Sequence, residues 1–258
     1  MREEEDETCR FSTALLSLAF PGALLAIAAS IGTAFATPLG TNLLLNGDAE
    51  VGPGSGSGND LELIPDWTTT SVFTVVQYGA PAFPTPAVAT AIGSGANFFA
   101  GGQGTAFSSA SQIVNVSDLA SSIDAGQASV ALSGFLGGFD GQDDNMTVTA
   151  TFLSSTSDPL GVLSIGPVTQ PDRDGLTTLL FRSISGALPG GTRSIVVEMD
   201  AARFQGTYDD GYADNLSLVV SGRGPAVPEP ATITLLLAGL TGLGARKRLA
   251  MIKHAIFS

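Results

Sequence analysis

The chain is 258 residues long, with 24 Asp and Glu against 11 Lys and Arg and a net charge of −13. So acidic a surface repels nucleic acid and anionic membrane. The single Cys and the single His, Cys9 and His254, fall in the terminal segments. Residues 37–226 therefore hold no disulfide, no Ser-His-Asp or Cys-His arrangement and no zinc site of the usual His/Cys kind.

Phe11 to Ala36 carries no charge and is dominated by Ala, Leu, Ile and Phe. It closes on Ala34-Phe35-Ala36, the small-any-small pattern that a signal peptidase accepts, which makes Thr37 the first mature residue. The preceding MREEEDETCR is acidic where a signal peptide carries positive charge, although Arg10 abuts the apolar run. The alternative is an anchor left in place, because the run exceeds the roughly 18 residues that suggest a span. Residues 1–36 are thus read as a signal peptide and 37–226 as one domain, within the usual range of roughly 100–200 residues.

Within that domain, GPGSGSGND (Gly52 to Asp60) reads as a flexible loop, since strand-like sequence flanks it on both sides. SVFTVVQ, SQIVNV, ASVALSGFLG and LTTLLFRS are rich in β-formers. Met146, Val148, Ala150 and Phe152 alternate with Thr147, Thr149 and Thr151. Ile195, Val197 and Met199 alternate with more polar neighbours, and so do Leu216, Leu218 and Val220. A period of two puts one face of each strand inward. No comparable stretch has helical spacing; DLASSI is long enough for one turn. Eight or nine short strands with Gly, Pro, Asp and Asn between them predict an all-β, antiparallel β-sandwich. Neither GPGSGSGND nor GSGANFFAGG fits a dinucleotide-binding or phosphate-binding loop.

After the domain come Val227-Pro228-Glu229-Pro230, an apolar run from Ala231 to Ala245, and Arg246-Lys247-Arg248. This stretch resembles a PEP-CTERM sorting signal, known from exopolysaccharide-producing Gram-negative bacteria. Fifteen residues at roughly 1.5 Å each reach only about 22 Å, short of a hydrocarbon core of about 30 Å. Such a helix holds a chain in the inner membrane transiently, with the basic triplet on the cytoplasmic side. The resemblance implies cleavage at Pro-Glu-Pro by exosortase, after signal peptidase has acted at the other end. Residues 227–248 are the predicted sorting signal and 249–258 a tail, longer than is usual after the basic cluster.

The core carries a second resemblance. TNLLLNGDAEVGP (Thr41 to Pro53) is similar to the opening strand of galactose-binding-like jelly rolls and many carbohydrate-binding modules. Pro65 to Trp67 resembles the tryptophan that follows, usually a core position. GGFDGQDDNMTVTATF and DDGYADNLSLVV resemble the central strand pair and the closing strand. The resemblance implies a jelly roll, and a structural calcium ion tying first strand to last. The matching calcium ligands are Asn46, Asp48, Glu50 and Asp214; read only as sequence, Asn46-Gly47 and Asp209-Asp210-Gly211 are turn formers. Asp140, Asp143, Asp144 and Asn145, like Asp172 and Asp174, read as exposed turns.

Sugar binding needs an aromatic platform for the C–H face of a pyranose and planar polar groups for its hydroxyls. Candidates are Tyr78, Phe83, Phe98, Phe99, Tyr208 and Tyr212, with Asn97, Gln103 and Arg203 as polar partners. VVQYGAPAFPTP and GANFFAGGQG are the most suggestive loops. For each aromatic taken singly, core packing is the competing explanation. No pair of carboxylates is singled out for glycoside hydrolysis. The expectation is a non-catalytic module of the cell envelope or its extracellular polysaccharide, binding carbohydrate. The alternatives are a structural matrix protein without a small ligand, or a carboxylate-dependent glycoside hydrolase.

Overall fold

The computed structural model describes residues 37–222. Ala34 and Ala36 of the expected signal-peptidase site, the sorting signal Val227 to Arg248 and the tail lie outside the described residues. In chain order the elements are β1 (Thr68–Thr70), β2 (Thr74–Gln77), α1 (Pro86–Ile92), β3 (Asn97–Gln103) and β4 (Phe107–Asn115). Then follow α2 (Ala120–Asp124), β5 (Ser129–Gly138), β6 (Asn145–Leu153) and β7 (Pro159–Ile165). β8 (Thr178–Ala187), β9 (Ser194–Ala202) and β10 (Tyr208–Ser221) complete the set.

The strands form two five-stranded antiparallel sheets, β2-β3-β10-β5-β8 and β1-β4-β9-β6-β7. The predicted sandwich is the observed fold, and the alternations explain it. Met146, Val148, Ala150 and Phe152 are buried while the threonines between them face outward. Ile195, Val197 and Met199 of β9 meet Leu216, Leu218 and Val220 of β10 in the same core. Strands with one apolar face each bury it only by stacking sheet on sheet.

Opening and closing segments lie side by side, as the jelly-roll resemblance implied. Leu43 N–H donates to Leu218 O at 2.8 Å, and Leu216 N–H to Gly47 O at 2.7 Å. The Asn42 side chain adds a second clamp: its Oδ1 accepts from Leu218 N–H and its Nδ2 donates to Leu216 O. Trp67 is core, with its indole N–H on Asn46 O at 3.1 Å and its ring edge-on to Phe99.

Three local expectations change. GANFFAGGQG is largely β3, one strand in from the edge of the first sheet, rather than a loop. PAVATAI forms α1, which helical periodicity could not reveal because seven residues bury only Ala89. Pro86 opens it, where a missing N–H costs nothing, and Gly93 closes it in the left-handed conformation at φ 69°. GPGSGSGND is pinned rather than free: Ser55 Oγ donates to Asp60 Oδ2 and accepts from Gly58 N–H at 2.8 Å. DLASSI supplies a 3-10 turn and then α2.

The connection from Tyr78 to Ala96, α1 included, folds over the outer face of the first sheet and approaches β8. Beneath it lies a second apolar cluster of Val76, Tyr78, Phe98, Ala100, Leu179 and Tyr212. Phe83, Phe135, Phe139 and Tyr208 pack on its margin, half-buried.

Candidate functional site

At that margin a cavity of about 250 Å³ opens, walled by the rings of Phe83, Phe139 and Tyr208. Asn59, Gln103, Thr207 and Asp210 supply its polar lining. Phe83 is held against Tyr208 at 5.1 Å, edge to face, and against Phe98 at 6.2 Å. The place where a Cβ on Gly58 would stand is 2.2 Å from the Phe83 ring, so the Ser55-pinned loop backs this wall directly. A larger groove of about 670 Å³ lies between Leu43, Leu45 and Ile113, but no aromatic ring lines it.

Three side-chain polar atoms are buried without a partner among the described residues, the Tyr208 hydroxyl, Asp209 Oδ2 and Arg173 Nε, and of these residues Tyr208 lines the cavity. Buried polar groups are normally satisfied, so each exception asks for an explanation. Asp210, 7% exposed, accepts from the Tyr212 hydroxyl through Oδ1. With its amide turned to donate, Gln142 Nε2 lies 3.0 Å from Asp210 Oδ2. Burial pushes the Asp210 carboxyl up to about 6 and that of neighbouring Asp209 up to about 7. Burial likewise raises the Tyr208 phenol.

Asp144 stands behind them, fully buried, and corrects the expectation of an exposed turn. Its Oδ1 accepts from the N–H groups of Phe204 and Gln205 at 2.6 and 2.8 Å, and its Oδ2 from Asp210 N–H. It staples the β5–β6 turn to the β9–β10 turn. Arg173, in the predicted turn PDRDG, is also buried; its Nη1 donates to Asp140 O and its Nη2 to Gln142 O. Asp140, Asp143, Asp172 and Asp174 are exposed, as turn residues should be, whereas Asn145 is half-buried and opens β6 instead of belonging to the turn.

Of the predicted ligand residues, Phe83, Gln103 and Tyr208 line the cavity. Phe98, Phe99 and Tyr212 are wholly buried and offer no face to a ligand. Tyr78 is buried with its hydroxyl on Asp214 Oδ2 at 2.6 Å. Asn97 is tied to Glu50 Oε1 by its N–H and to Ala49 O by its amide. Arg203 turns its guanidinium onto the carbonyls of Thr105 and Gly206. Sequence reading missed Asn59, Phe139, Thr207 and Asp210, which lie far apart in the chain and meet only through strand order.

The calcium ligand set does not fit the ion. Asn46 Oδ1 accepts from Val51 N–H and its Nδ2 donates to Pro65 O. Asp214, fully buried, takes the Tyr78 and Ser94 hydroxyls on Oδ2 and Asn215 N–H on Oδ1. Asp48 is exposed and Glu50 is turned to Asn97. Among the described residues no three acidic, His or Cys side chains gather closely enough to hold a metal. Calcium asks for six to eight oxygens around one point. Asn46, at φ 48°, does what a turn former does.

Fold and cavity together define an antiparallel β-sandwich with an aromatic-walled, acid-bearing pocket on the outer face of its first sheet. Outside the described residues, 226–248 match the PEP-CTERM protein-sorting motif. No curated protein matches the chain. Among solved structures, the enzymatically active domain of tailspike protein 4 from bacteriophage CBA120 is 14% identical at a TM-score of 0.38. That match covers 71% of this chain and 22% of the tailspike domain. The CBM22-1-CBM22-2 tandem domain of Paenibacillus barcinonensis Xyn10C is 15% identical at a TM-score of 0.43, covering 76% of this chain and 50% of the tandem. A family 16 carbohydrate-binding module is 16% identical at 0.38, covering 69% of this chain and 99% of the module. Among the described residues no helix is long and apolar enough to cross a membrane.

Proposed function

We propose that this is an exported protein of a Gram-negative cell envelope or its exopolysaccharide, which holds a neutral carbohydrate without cleaving it. Signal peptidase and exosortase are its partners during export, with transient inner-membrane contact through the apolar run Ala231 to Ala245. The sorting part of the reading is supported by the PEP-CTERM match at 226–248.

The binding part is carried by one observation, the cavity in which Phe83, Phe139 and Tyr208 face Asn59, Gln103, Thr207 and Asp210. Rings take the C–H face of a pyranose, while amide, hydroxyl and carboxylate groups take its hydroxyls. Acidic sugars are disfavoured, because the one charged lining residue is a carboxylate. Glycoside cleavage needs two carboxyl groups flanking the bond, and only Asp210 lines the cavity.

A pull-down of the purified chain on a panel of neutral polysaccharides and one polyuronate tests this. Retention on at least one neutral polymer, with none on the polyuronate and no release of reducing ends, is expected. Absence from every neutral polymer, or release of reducing ends, overturns the reading.

A further inference from the structure

We infer that a depression beside Phe107, on the outer face of the second sheet, is a second neutral-pyranose site that makes the chain bivalent for polysaccharide. The pairing register builds it. Phe107 of β4, Ala202 of β9 and Asn145 of β6 stand opposite one another in one row. The next row on the same face is Thr70, Ser109, Asp200 and Thr147. Ala202, short between a ring and an amide, leaves the gap: a depression of about 250 Å³ lined by residues of both rows.

Its chemistry suits a sugar. The Phe107 ring is 71% exposed, against the preference of aromatic rings for the interior, and stands as a wall rather than as packing. The Asp200 carboxylate accepts no hydrogen bond from any described residue. Asn145 and the hydroxyls of Thr70, Ser109 and Thr147 share the lining with it, the Thr70 and Ser109 hydroxyls 3.0 Å apart. No basic residue lines the depression, so an acidic sugar has no counter-charge there. The row beyond, Ser111, Glu198, Thr149 and Ser164, continues a hydroxyl-bearing and acidic surface across four strands.

The first cavity lies at the outer face of the first sheet and this one at the outer face of the second. Sheets stacked about 10 Å apart separate them, so each face takes its own length of polymer and the protein bridges two. That bridging gives a matrix role a physical basis. The inference rests on the carbohydrate reading for its ligand class and on independent residues for its site.

Calorimetric titration of the full chain with β-1,4-linked xylo-, gluco- and manno-hexasaccharides, one at a time, counts the sites. Two per chain are expected for at least one sugar. Phe107→Ala, exposed and so harmless to the fold, should weaken one site about tenfold, the loss of one ring face; Gln103→Ala should weaken only the other. A single site touched by Gln103→Ala alone overturns this inference and leaves the first reading standing. A single site touched by Phe107→Ala alone overturns the first cavity and, with it, the bivalence. No binding, or a single site that neither substitution moves, overturns both.

Discussion

Asp214 lies fully buried with the hydroxyls of Tyr78 and Ser94 donating into it, and burial pushes its carboxyl up to about 7. Asp209, at about 7, and Asp210, at about 6, share that cause. In the unfolded chain all three would release their protons near pH 4. Between about pH 4 and 7 the folded state therefore holds more protons than the unfolded one, and stability falls as pH rises through that window. Asp124 and Asp172 shift the opposite way, lowered by hydrogen bonds from Arg193 and Thr169, but their effect falls below pH 4. Unfolding free energy should drop by several kcal/mol, on the order of 5–9 kcal/mol, from pH 4.5 to 7.5. Denaturant melts at the two pH values measure it; equal or greater stability at pH 7.5 would show these carboxyls to be unburied. Little of this was legible in the sequence. Asp209, Asp210 and Asp214 read as turn or ligand residues because nothing local announces burial: Tyr212 is a neighbour of Asp210 on the same strand, but only the tertiary fold brings Asp144 against Asp210 and Tyr78 against Asp214.

At the scale of elements, alternation was a reliable guide and loops were not. β6, β9 and the second half of β10, from Asn215 onward, follow their period-two patterns because each has one apolar face and one core to fill, whereas Asp209 to Asp214 of β10 are buried on both faces. The segment from Tyr78 to Ala96 misled because it serves two surfaces. Its rings pack onto the outside of a sheet, and Phe98 and Phe99 on adjacent positions of β3 enter two different cores. Gln112 was equally silent in SQIVNV. Its buried amide exchanges hydrogen bonds with both backbone groups of Leu45 and reaches Asp66 O, closing one end of the sandwich. The Ser55 loop yields a direct test. Gly58, at φ 77°, leaves no room between its backbone and the Phe83 ring. Gly58→Ala should cost about 1–3 kcal/mol through backbone strain and overpacking, and weaken sugar binding by displacing the cavity wall. Thermal melting and titration of the variant read both effects; a melt and an affinity equal to those of the parent would mean that the loop does not brace the wall.

For the molecule as a whole, the proposed function gives the address to the terminal segments and the binding to the sandwich. Pro-Glu-Pro, an apolar run and a basic triplet were readable as a sorting signal because that pattern depends on local chemistry alone, and the motif match falls on the same residues. The sandwich, with eighteen acidic residues, five Arg and no Lys between Thr37 and Ala226, repels anionic polymers, which is why the proposed ligand is neutral. Intact-mass measurement of the native protein from an exopolysaccharide-producing host should find a chain starting at Thr37 and lacking Arg246-Lys247-Arg248. A full-length mass from the cytosol would separate this protein from the envelope altogether.

The central claim is that Phe83, Phe139 and Tyr208 form the face on which a neutral sugar rests. Aromatic-ring NMR during titration with the best-retained neutral oligosaccharide tests it most directly. The account predicts that the resonances of these three rings move together and saturate, while Phe99 and Trp67, sealed in the core, stay still. Saturable binding that leaves all three rings unmoved would contradict it.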